Sequence, residues 1–97
     1  MLSVTCTEKY GPTTTLTFDK LDILVGSMDV NDIVLPKANV SKRHLRIVVN
    51  SGMIILVDLK SKNGTFVNGV KITAPCVVKE GDAISVGDFT LKVRLVD

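Results

Sequence analysis

"HLRIVVNSGMIILVDL", residues 44–59, contains the clearest structural signal in the sequence. Leu45, Ile47 and Val49 alternate with other residues, so an extended strand would place them together on one face. Asn-Ser-Gly at 50–52 is a turn sequence, and the apolar run that follows it is long enough to pair back as a second strand. The stretch therefore predicts a β-hairpin.

The same pattern of short strands and turns continues on both sides of this hairpin. "LSVTCTEK" and "TTTLTF" flank a turn at 10–12, and "AISVG" and "FTLKVRLV" flank Gly87-Asp88. The remaining predicted strands are 21–26, 32–35, 66–69, 70–73 and 76–79. About eleven short strands with frequent turns and almost no helical periodicity predict an all-β sandwich or barrel.

Length, composition and charge limit the possible classes of protein. The chain has 97 residues, of which 45% are hydrophobic, and this is enough for one folded domain with its own core. We expect a single domain over residues 1–97, either complete or one module of a longer protein. The net charge is only +2, which argues against nucleic-acid binding because that function normally needs a strong basic excess.

The sequence shows no sign of secretion or membrane insertion. Its N-terminal residues alternate in polarity, and the longest apolar run, 53–57, is too short to span a bilayer. Cys6 and Cys76 could form one disulfide, but without a secretion signal we expect free thiols and a cytoplasmic location. Two distant cysteines do not have the clustered spacing of a metal site, so no metal is expected.

Small polar and basic residues are concentrated in three predicted loops, at 26–31, 36–44 and 60–69. They are Gly26, Ser27, Asn39, Ser41, Lys42, Arg43, His44, Lys60, Ser61, Lys62, Asn63, Gly64, Thr65 and Asn68. Loops gather at the ends of a β-sandwich, where function is usually found. Hydroxyl, amide and basic groups donate hydrogen bonds to anions, so these loops indicate an anion-binding site.

An enzyme is the less favoured interpretation. The only histidine, His44, has no acidic partner close by along the chain, since the next acidic residue after it is Asp58. No glycine-rich loop opens a helix, so a nucleotide cofactor is not indicated, and no other cofactor is expected. We therefore predict a binding protein without catalytic activity.

Two motifs in these loops resemble those of the forkhead-associated (FHA) domain family. They are Ser41-x-x-His44 and, twenty residues further on, Ser61-x-Asn63-Gly64-Thr65. The resemblance extends from "ILVGSMDVNDIVL" at 23–35 through "ILVDLKSKNGTFVNG" at 55–69 to "VVKEGDAISVGDFTLKV" at 77–93. It implies an FHA-like (SMAD/FHA) β-sandwich of about eleven mostly antiparallel strands, acting in signalling as a phosphothreonine-dependent protein–protein interaction module.

The resemblance also implies roles for individual loop residues. Ser41 matches the serine that donates to the phosphate, and Asn63 matches the asparagine that bonds the peptide backbone. Lys42 and Lys62 occupy positions that can add phosphate contacts, and Arg43 is a further candidate. The residues expected to support the site without touching ligand are Gly26, His44, Gly64, Thr65 and Asn68.

One position departs from the family pattern. The family usually places an arginine after the strand-ending glycine, whereas here Ser27 follows Gly26. Arginine supplies a permanent charge and several donors, so its absence is expected to weaken phosphopeptide binding by about one to two orders of magnitude. Ser27 can donate only a neutral hydrogen bond. The partner is therefore predicted to be a phosphothreonine protein or peptide or, alternatively, an unphosphorylated protein.

Overall fold

Eleven β-strands build the chain, as the sequence predicts, and they form two sheets packed face to face. The structure is a computed structural model that describes residues 1–96, and none of these residues lies in a helix. The strands are β1 (Leu2–Glu8), β2 (Thr13–Phe18), β3 (Asp22–Gly26), β4 (Ile33–Val34), β5 (Leu45–Asn50), β6 (Met53–Asp58), β7 (Thr65–Val67), β8 (Val70–Lys71), β9 (Cys76–Val78), β10 (Ile84–Val86) and β11 (Phe89–Leu95). No helix in the described part of the chain is long and apolar enough to cross a membrane.

The two sheets have different strand orders. Sheet A contains six strands in the order β2-β1-β11-β10-β7-β8, and sheet B contains five in the order β4-β3-β5-β6-β9. Only β3 and β4 are parallel, so the prediction of a mostly antiparallel sandwich is confirmed. The predicted hairpin is β5–β6, in register from Leu45 opposite Asp58 to Asn50 opposite Met53.

Strand alternation places one apolar face of each sheet in a shared core. Leu2, Val4 and Cys6 of β1 are buried there, and they pack with alternate residues of β3, β5, β6, β10 and β11. Burial raises the pKa of the Cys6 thiol to about 11, so this thiol stays neutral at physiological pH. Cys6 and the half-buried Cys76 are both free thiols.

The sandwich has two ends with different contents. One end, here called the loop end, carries the connections 27–32, 35–44 and 59–64 and the turn at 87–88. The opposite end, the turn end, carries the shorter turns at 50–52 and 68–69 and the loop at 79–83. Met1 and Val96 also meet at the turn end, where the Met1 amino group donates to the Val96 carbonyl at 3.0 Å and the Val96 N–H donates to the Met1 carbonyl at 2.8 Å.

The tight turn between β7 and β8 depends on left-handed backbone at both of its central residues. Asn68 has φ of 49° and Gly69 has φ of 84°, as a type I′ hairpin turn requires. Asparagine and glycine adopt this conformation more readily than other residues, which explains the Asn-Gly pair at this point.

Candidate functional site

Three loops meet at the loop end and are hydrogen-bonded to one another. The Ser27 N–H donates to the Ser41 carbonyl at 3.0 Å, which joins the β3–β4 loop to the β4–β5 loop. The Lys62 N–H donates to the Ser41 hydroxyl oxygen at 2.9 Å, which joins the β6–β7 loop to the same residue. The structure therefore brings Ser27, Ser41 and Lys62 together, although they are far apart in the sequence.

Asn63 adds a further connection between two of these loops. Its side-chain nitrogen donates to the Asn39 carbonyl at 3.1 Å, while the residue itself remains exposed. Asn63 does not have a positive φ, so a left-handed turn conformation does not account for the asparagine here. The Asn63 side chain therefore spans the gap between the β4–β5 and β6–β7 loops at the surface.

Ser41 is oriented by its backbone contacts, and its hydroxyl proton remains available. The hydroxyl oxygen accepts from Lys62, so it is held in place without using its own hydrogen. Ser41 is half-buried, and its hydroxyl donates to no other group in residues 1–96. The arrangement provides a fixed O–H donor for an acceptor arriving from solvent.

His44 is fully buried and connects the β4–β5 loop to the β6–β7 loop. The Ser41 N–H donates to His44 Nδ1 at 3.1 Å, which requires Nδ1 to be unprotonated. The proton of the neutral ring is then on Nε2, which donates to the Gly64 carbonyl at 2.8 Å. Both ring nitrogens therefore bond to backbone, and the geometry fits the supporting position inferred for His44 from the sequence.

The same contacts leave no catalytic dyad at this site. His44 Nδ1 bonds the Ser41 backbone N–H and not the Ser41 hydroxyl, so the histidine is not placed to remove the hydroxyl proton. Within the described residues there is also no group of His, Cys, Asp and Glu side chains suited to hold a metal ion. Ser41 and His44 are therefore not arranged as a nucleophile and its base.

Asp58 stabilises the β6–β7 loop from inside. Its carboxylate accepts from the Ser61 N–H at 3.0 Å, from the Ser61 hydroxyl, and from the hydroxyl of buried Thr65 at 2.7 Å. Partial burial acts to raise the pKa of Asp58, but the hydrogen bonds from Ser61 and Thr65, with a smaller contribution from His44, outweigh it and hold the pKa below its usual value. The carboxylate thus fixes the loop that presents Lys62 and Asn63.

Gly26 permits a close approach between β3 and the β4–β5 loop. A Cβ at this position would lie 2.2 Å from the Lys42 carbonyl oxygen and 2.8 Å from Asn31 Nδ2, so no larger residue fits without movement. The Lys42 carbonyl accepts from Asn31 Nδ2 at 2.7 Å and from the Met28 N–H at 3.3 Å. The backbone of Lys42 is thereby fixed, and its side chain is left exposed.

Positive charge surrounds these loops without being neutralised. Lys42, Arg43, Lys60 and Lys62 are all exposed, and none of them forms an ion pair within residues 1–96. The ion pairs that do form are Lys20–Asp32, Lys37–Glu8 and Arg46–Asp22. Unpaired cations beside a fixed hydroxyl donor make the loop end suited to an anionic ligand.

The structure separates one predicted supporting residue from the others. Gly64, with φ of 87°, and buried Thr65 lie beside His44 and Asp58 in the β6–β7 loop. Asn68 instead lies beyond the other end of β7, where its side chain donates to Asp82 at 3.0 Å and accepts from the Ala83 N–H at 3.0 Å. The Asn68 side chain therefore stabilises the turn end, and its hydrogen bonds in residues 1–96 go to Asp82 and Ala83 and not to the loops around Ser41.

Two supporting residues, Asn31 and Asp58, were not identified from the sequence. Buried Asn31 donates to the Met28 and Lys42 carbonyls, both at 2.7 Å, and so joins two loops. Nothing local distinguishes it from an ordinary loop asparagine. For Asp58 a signal was present, because an Asp followed three residues later by Ser61 is a spacing at which a carboxylate accepts from the chain ahead of it.

Comparisons with known proteins point to one family. The profile of the FHA domain family matches residues 23–87. The oxoglutarate dehydrogenase inhibitor of Corynebacterium glutamicum is 36% identical over 85 residues, covering 86% of this chain and 59% of that protein. The transcriptional regulatory protein EmbR of Mycobacterium tuberculosis is 37% identical over 71 residues, or 71% of this chain, and an ABC transporter ATP-binding/permease protein of the same organism is 35% identical over 69 residues. The chain spans only 18% and 8% of these last two proteins.

Solved structures give the same result over nearly the whole chain. An FHA domain studied for its phosphothreonine-dependent interactions superposes with a TM-score of 0.83 at 30% identity, covering 98% of each chain. The FHA domain of FhaA, solved in complex with an intracellular domain of another protein, gives a TM-score of 0.81 at 32% identity and covers 95% of this chain and 100% of that one. EmbR of Mycobacterium tuberculosis, solved with a low-affinity phosphopeptide, gives a TM-score of 0.80 at 28% identity, covering 95% of this chain and 24% of that one.

Proposed function

The chain belongs to the FHA domain family of protein-interaction modules, and from this membership we propose that it binds phosphothreonine-containing segments of partner proteins in signalling. The observation that carries the proposal is the Ser41 hydroxyl. Its oxygen is held by the Lys62 N–H at 2.9 Å, and its proton is free to donate to a phosphate oxygen.

The surrounding residues supply the other contacts that a phosphothreonine peptide needs. The ammonium groups of Lys42 and Lys62, and the guanidinium of Arg43, are exposed and unpaired in the described part of the chain, so they can add charge-assisted contacts to the phosphate. Asn63 lies at the surface between two loops, where its side-chain amide can bond the peptide backbone. His44, Gly26, Gly64 and Thr65 keep these groups in place without contacting ligand.

Ser27 makes this a weakened version of such a site. Its backbone N–H bonds Ser41, so its side chain lies at the edge of the same site, but it offers a neutral hydroxyl where the family usually has a guanidinium. Binding is therefore predicted to depend on phosphate and to be weak, with Lys42, Arg43 and Lys62 supplying most of the charge.

The test is calorimetric titration with an array of peptides that carry a central phosphothreonine and varied flanking residues. Each peptide is compared with its threonine and phosphoserine twins. We expect the phosphothreonine form to bind at least about tenfold more tightly than the unmodified twin. Equal affinity for phosphorylated and plain peptides would reject the proposal and favour phosphate-independent binding of a protein partner.

Two variants test the assigned groups, with Ser51 in the β5–β6 turn at the opposite end as the matched position. Ser41→Ala should weaken phosphopeptide binding about tenfold with only a small fall in melting temperature, because the Lys62 N–H that loses its acceptor is at the surface, whereas Ser51→Ala should leave binding intact. Ser27→Arg should strengthen binding about tenfold, by an amount that decreases as salt is added, and Ser51→Arg should not. Tight phosphate-dependent binding by the native chain, without a gain from Ser27→Arg, would show that the site is not weakened.

A further inference from the structure

The two sheets have four edge strands, and only one of them is long. β4 and β8 have two residues each and β9 has three, whereas β2 has six. Very short edge strands offer few free backbone groups to another chain, and this is one way in which proteins avoid unwanted strand pairing. β2 lacks that protection.

The composition of β2 also leaves its edge open. Its sequence, Thr-Thr-Thr-Leu-Thr-Phe, contains no charge and no proline, and its first five residues are exposed. One side of the strand pairs with β1 from Thr7 opposite Thr13 to Leu2 opposite Phe18. The alternate N–H and C=O groups on the other side face solvent, so they are available to another extended strand.

We propose that β2 is a dimerisation strand, which pairs antiparallel with β2 of a second copy of this chain. The inference is independent of the phosphopeptide site at the loop end. The two-fold axis would pass through Thr15, so that Thr15 faces the same residue of the other copy. Thr13 would then face Thr17 of the other copy, and Thr14 would face Leu16.

The side chains on the outer face of sheet A favour this register. Thr13 and Thr15 already form cross-strand pairs with Thr7 and Thr5 of β1, in which the hydroxyl oxygens are 3.2 Å apart. In the proposed dimer every outward-facing residue of β2 pairs with another threonine, so the same pair chemistry continues across the new strand pair. Because the strand is uncharged, two copies can align without placing like charges opposite each other.

An apolar groove lies beside the inner face of β2, and covering this groove favours dimerisation. The groove has a volume of about 150 Å³ and lies between β2 and β4, lined by residues that include Leu16, Val34, Leu35 and Phe89. Leu16 and Val34 are 37% and 41% exposed although both are aliphatic. Pairing with a second β2 places another Leu16 at this groove and removes both side chains from water.

The contact is small, so the dimer should be weak and reversible. A pair of six-residue strands with one shallow groove buries less surface than a stable interface of standard size. The dissociation constant of the dimer is therefore expected towards the upper end of a range from about 1 µM to about 1 mM. Sedimentation equilibrium over this range should show a monomer–dimer equilibrium, and a chain that stays monomeric throughout would overturn the proposal.

A charge variant tests which surface is used. Thr15→Lys places two ammonium groups against each other at the two-fold axis and should weaken the dimer at least about tenfold. Val77→Lys, at an exposed position of the other sheet's edge strand β9, is the matched control and should have no effect. Melting curves establish that both variants fold. A dimer that resists Thr15→Lys, or that is lost in Val77→Lys, would contradict the assignment to β2.

Disulfide trapping tests the register. In a Cys76→Ser background, Thr15→Cys should form a covalent dimer under mild oxidation because the two thiols face each other. Thr13→Cys and Thr17→Cys should each trap poorly alone but should link efficiently when mixed. Equal trapping by all three single variants would reject the proposed register. The introduced cysteines are not expected to form disulfides with Cys6, because the Cys6 thiol is buried and protonated.

Discussion

Both ends of the sandwich are stabilised by a side chain that hydrogen-bonds two loops or turns together, but the two ends leave different polar groups unpaired. At the loop end, His44 joins two loops by bonding the Ser41 N–H and the Gly64 carbonyl. At the turn end, Asn68 joins two turns by bonding Asp82 and Ala83. The side-chain amide of Asn68, the Asp82 carboxylate and the Ala83 N–H satisfy one another at the turn end, whereas the Ser41 hydroxyl proton and several ammonium groups remain free at the loop end. A binding site therefore arises where buried groups hold the backbone and leave exposed side chains unpaired.

The largest expected difference between the ends is in their tolerance of added bulk at glycine. Gly26→Ala inserts a Cβ 2.2 Å from the Lys42 carbonyl and should destabilise the fold by about 3 kcal/mol while disordering the Ser41 loop. Gly81→Ala meets no atom within 4 Å and strains only a left-handed backbone, so about 1 kcal/mol is expected. Urea unfolding of both variants measures the difference, and equal losses would show that the close approach at Gly26 is unimportant.

Next in size is the removal of the buried histidine. His44→Ala leaves the Ser41 N–H and the Gly64 carbonyl without partners in a buried position, which should cost about 2 kcal/mol of stability. Phosphopeptide binding should fall as well, because the two loops are no longer held together. Thermal melting and titration are the measurements. A stable variant with normal binding would show that the loops are held by other contacts.

A smaller and purely structural effect is expected at the turn end. Asn68→Ala removes the bonds to Asp82 and Ala83 and places alanine at φ of 49°, so about 1 kcal/mol of stability should be lost. Asn68→Gly is the control, since it keeps the left-handed backbone and loses only the side-chain bonds. Neither variant should alter phosphopeptide affinity, and a change in affinity would place Asn68 in the binding site after all.

The smallest expected effect is on the pH dependence of stability, through Asp58 at the loop end. The pKa of Asp58 is lowered in the folded chain, so its contribution to stability is complete above the ordinary pKa of an aspartate and is lost as the pH falls through the folded value. Asp58→Asn should therefore be less stable than the native chain at pH 7, and the gap should narrow below about pH 4. Urea unfolding at several pH values tests this, and a gap that stays constant with pH would exclude the carboxylate as its cause.

Strand alternation was sufficient to predict most of the fold. Leu45, Ile47 and the apolar run after the turn at 50–52 predicted the β5–β6 hairpin, and six-residue "TTTLTF" is β2 with the predicted bounds. Some strands are shorter in the structure than the sequence predicted. The predicted strand 32–35 is Ile33–Val34, and the predicted strand 70–73 is Val70–Lys71. Beyond these strands a single backbone bond remains in each case, from the Leu35 N–H to the Gly26 carbonyl and from the Ile72 N–H to the Thr65 carbonyl, both at 2.9 Å. The sequence of one strand does not show where its pairing with a neighbour stops.

The site was predicted less completely, because its support is formed by contacts between distant residues. Motif resemblance identified Ser41, His44 and Asn63, and the structure places them in contact with neighbouring loops. Asn31 bonds the carbonyl of Lys42, eleven residues away, and no local pattern indicates this. Asn68 follows Thr65 closely in the sequence, but the direction of β7 carries it to the opposite end of the molecule.

The reciprocal bonds between Met1 and Val96 determine how this sandwich can be attached to other polypeptide. The chain enters and leaves the fold at a single point, at the end remote from Ser41. A host protein could therefore accept the domain as an insertion within one of its own surface loops, and a circular permutant that joins these two residues should fold with the binding loops undisturbed.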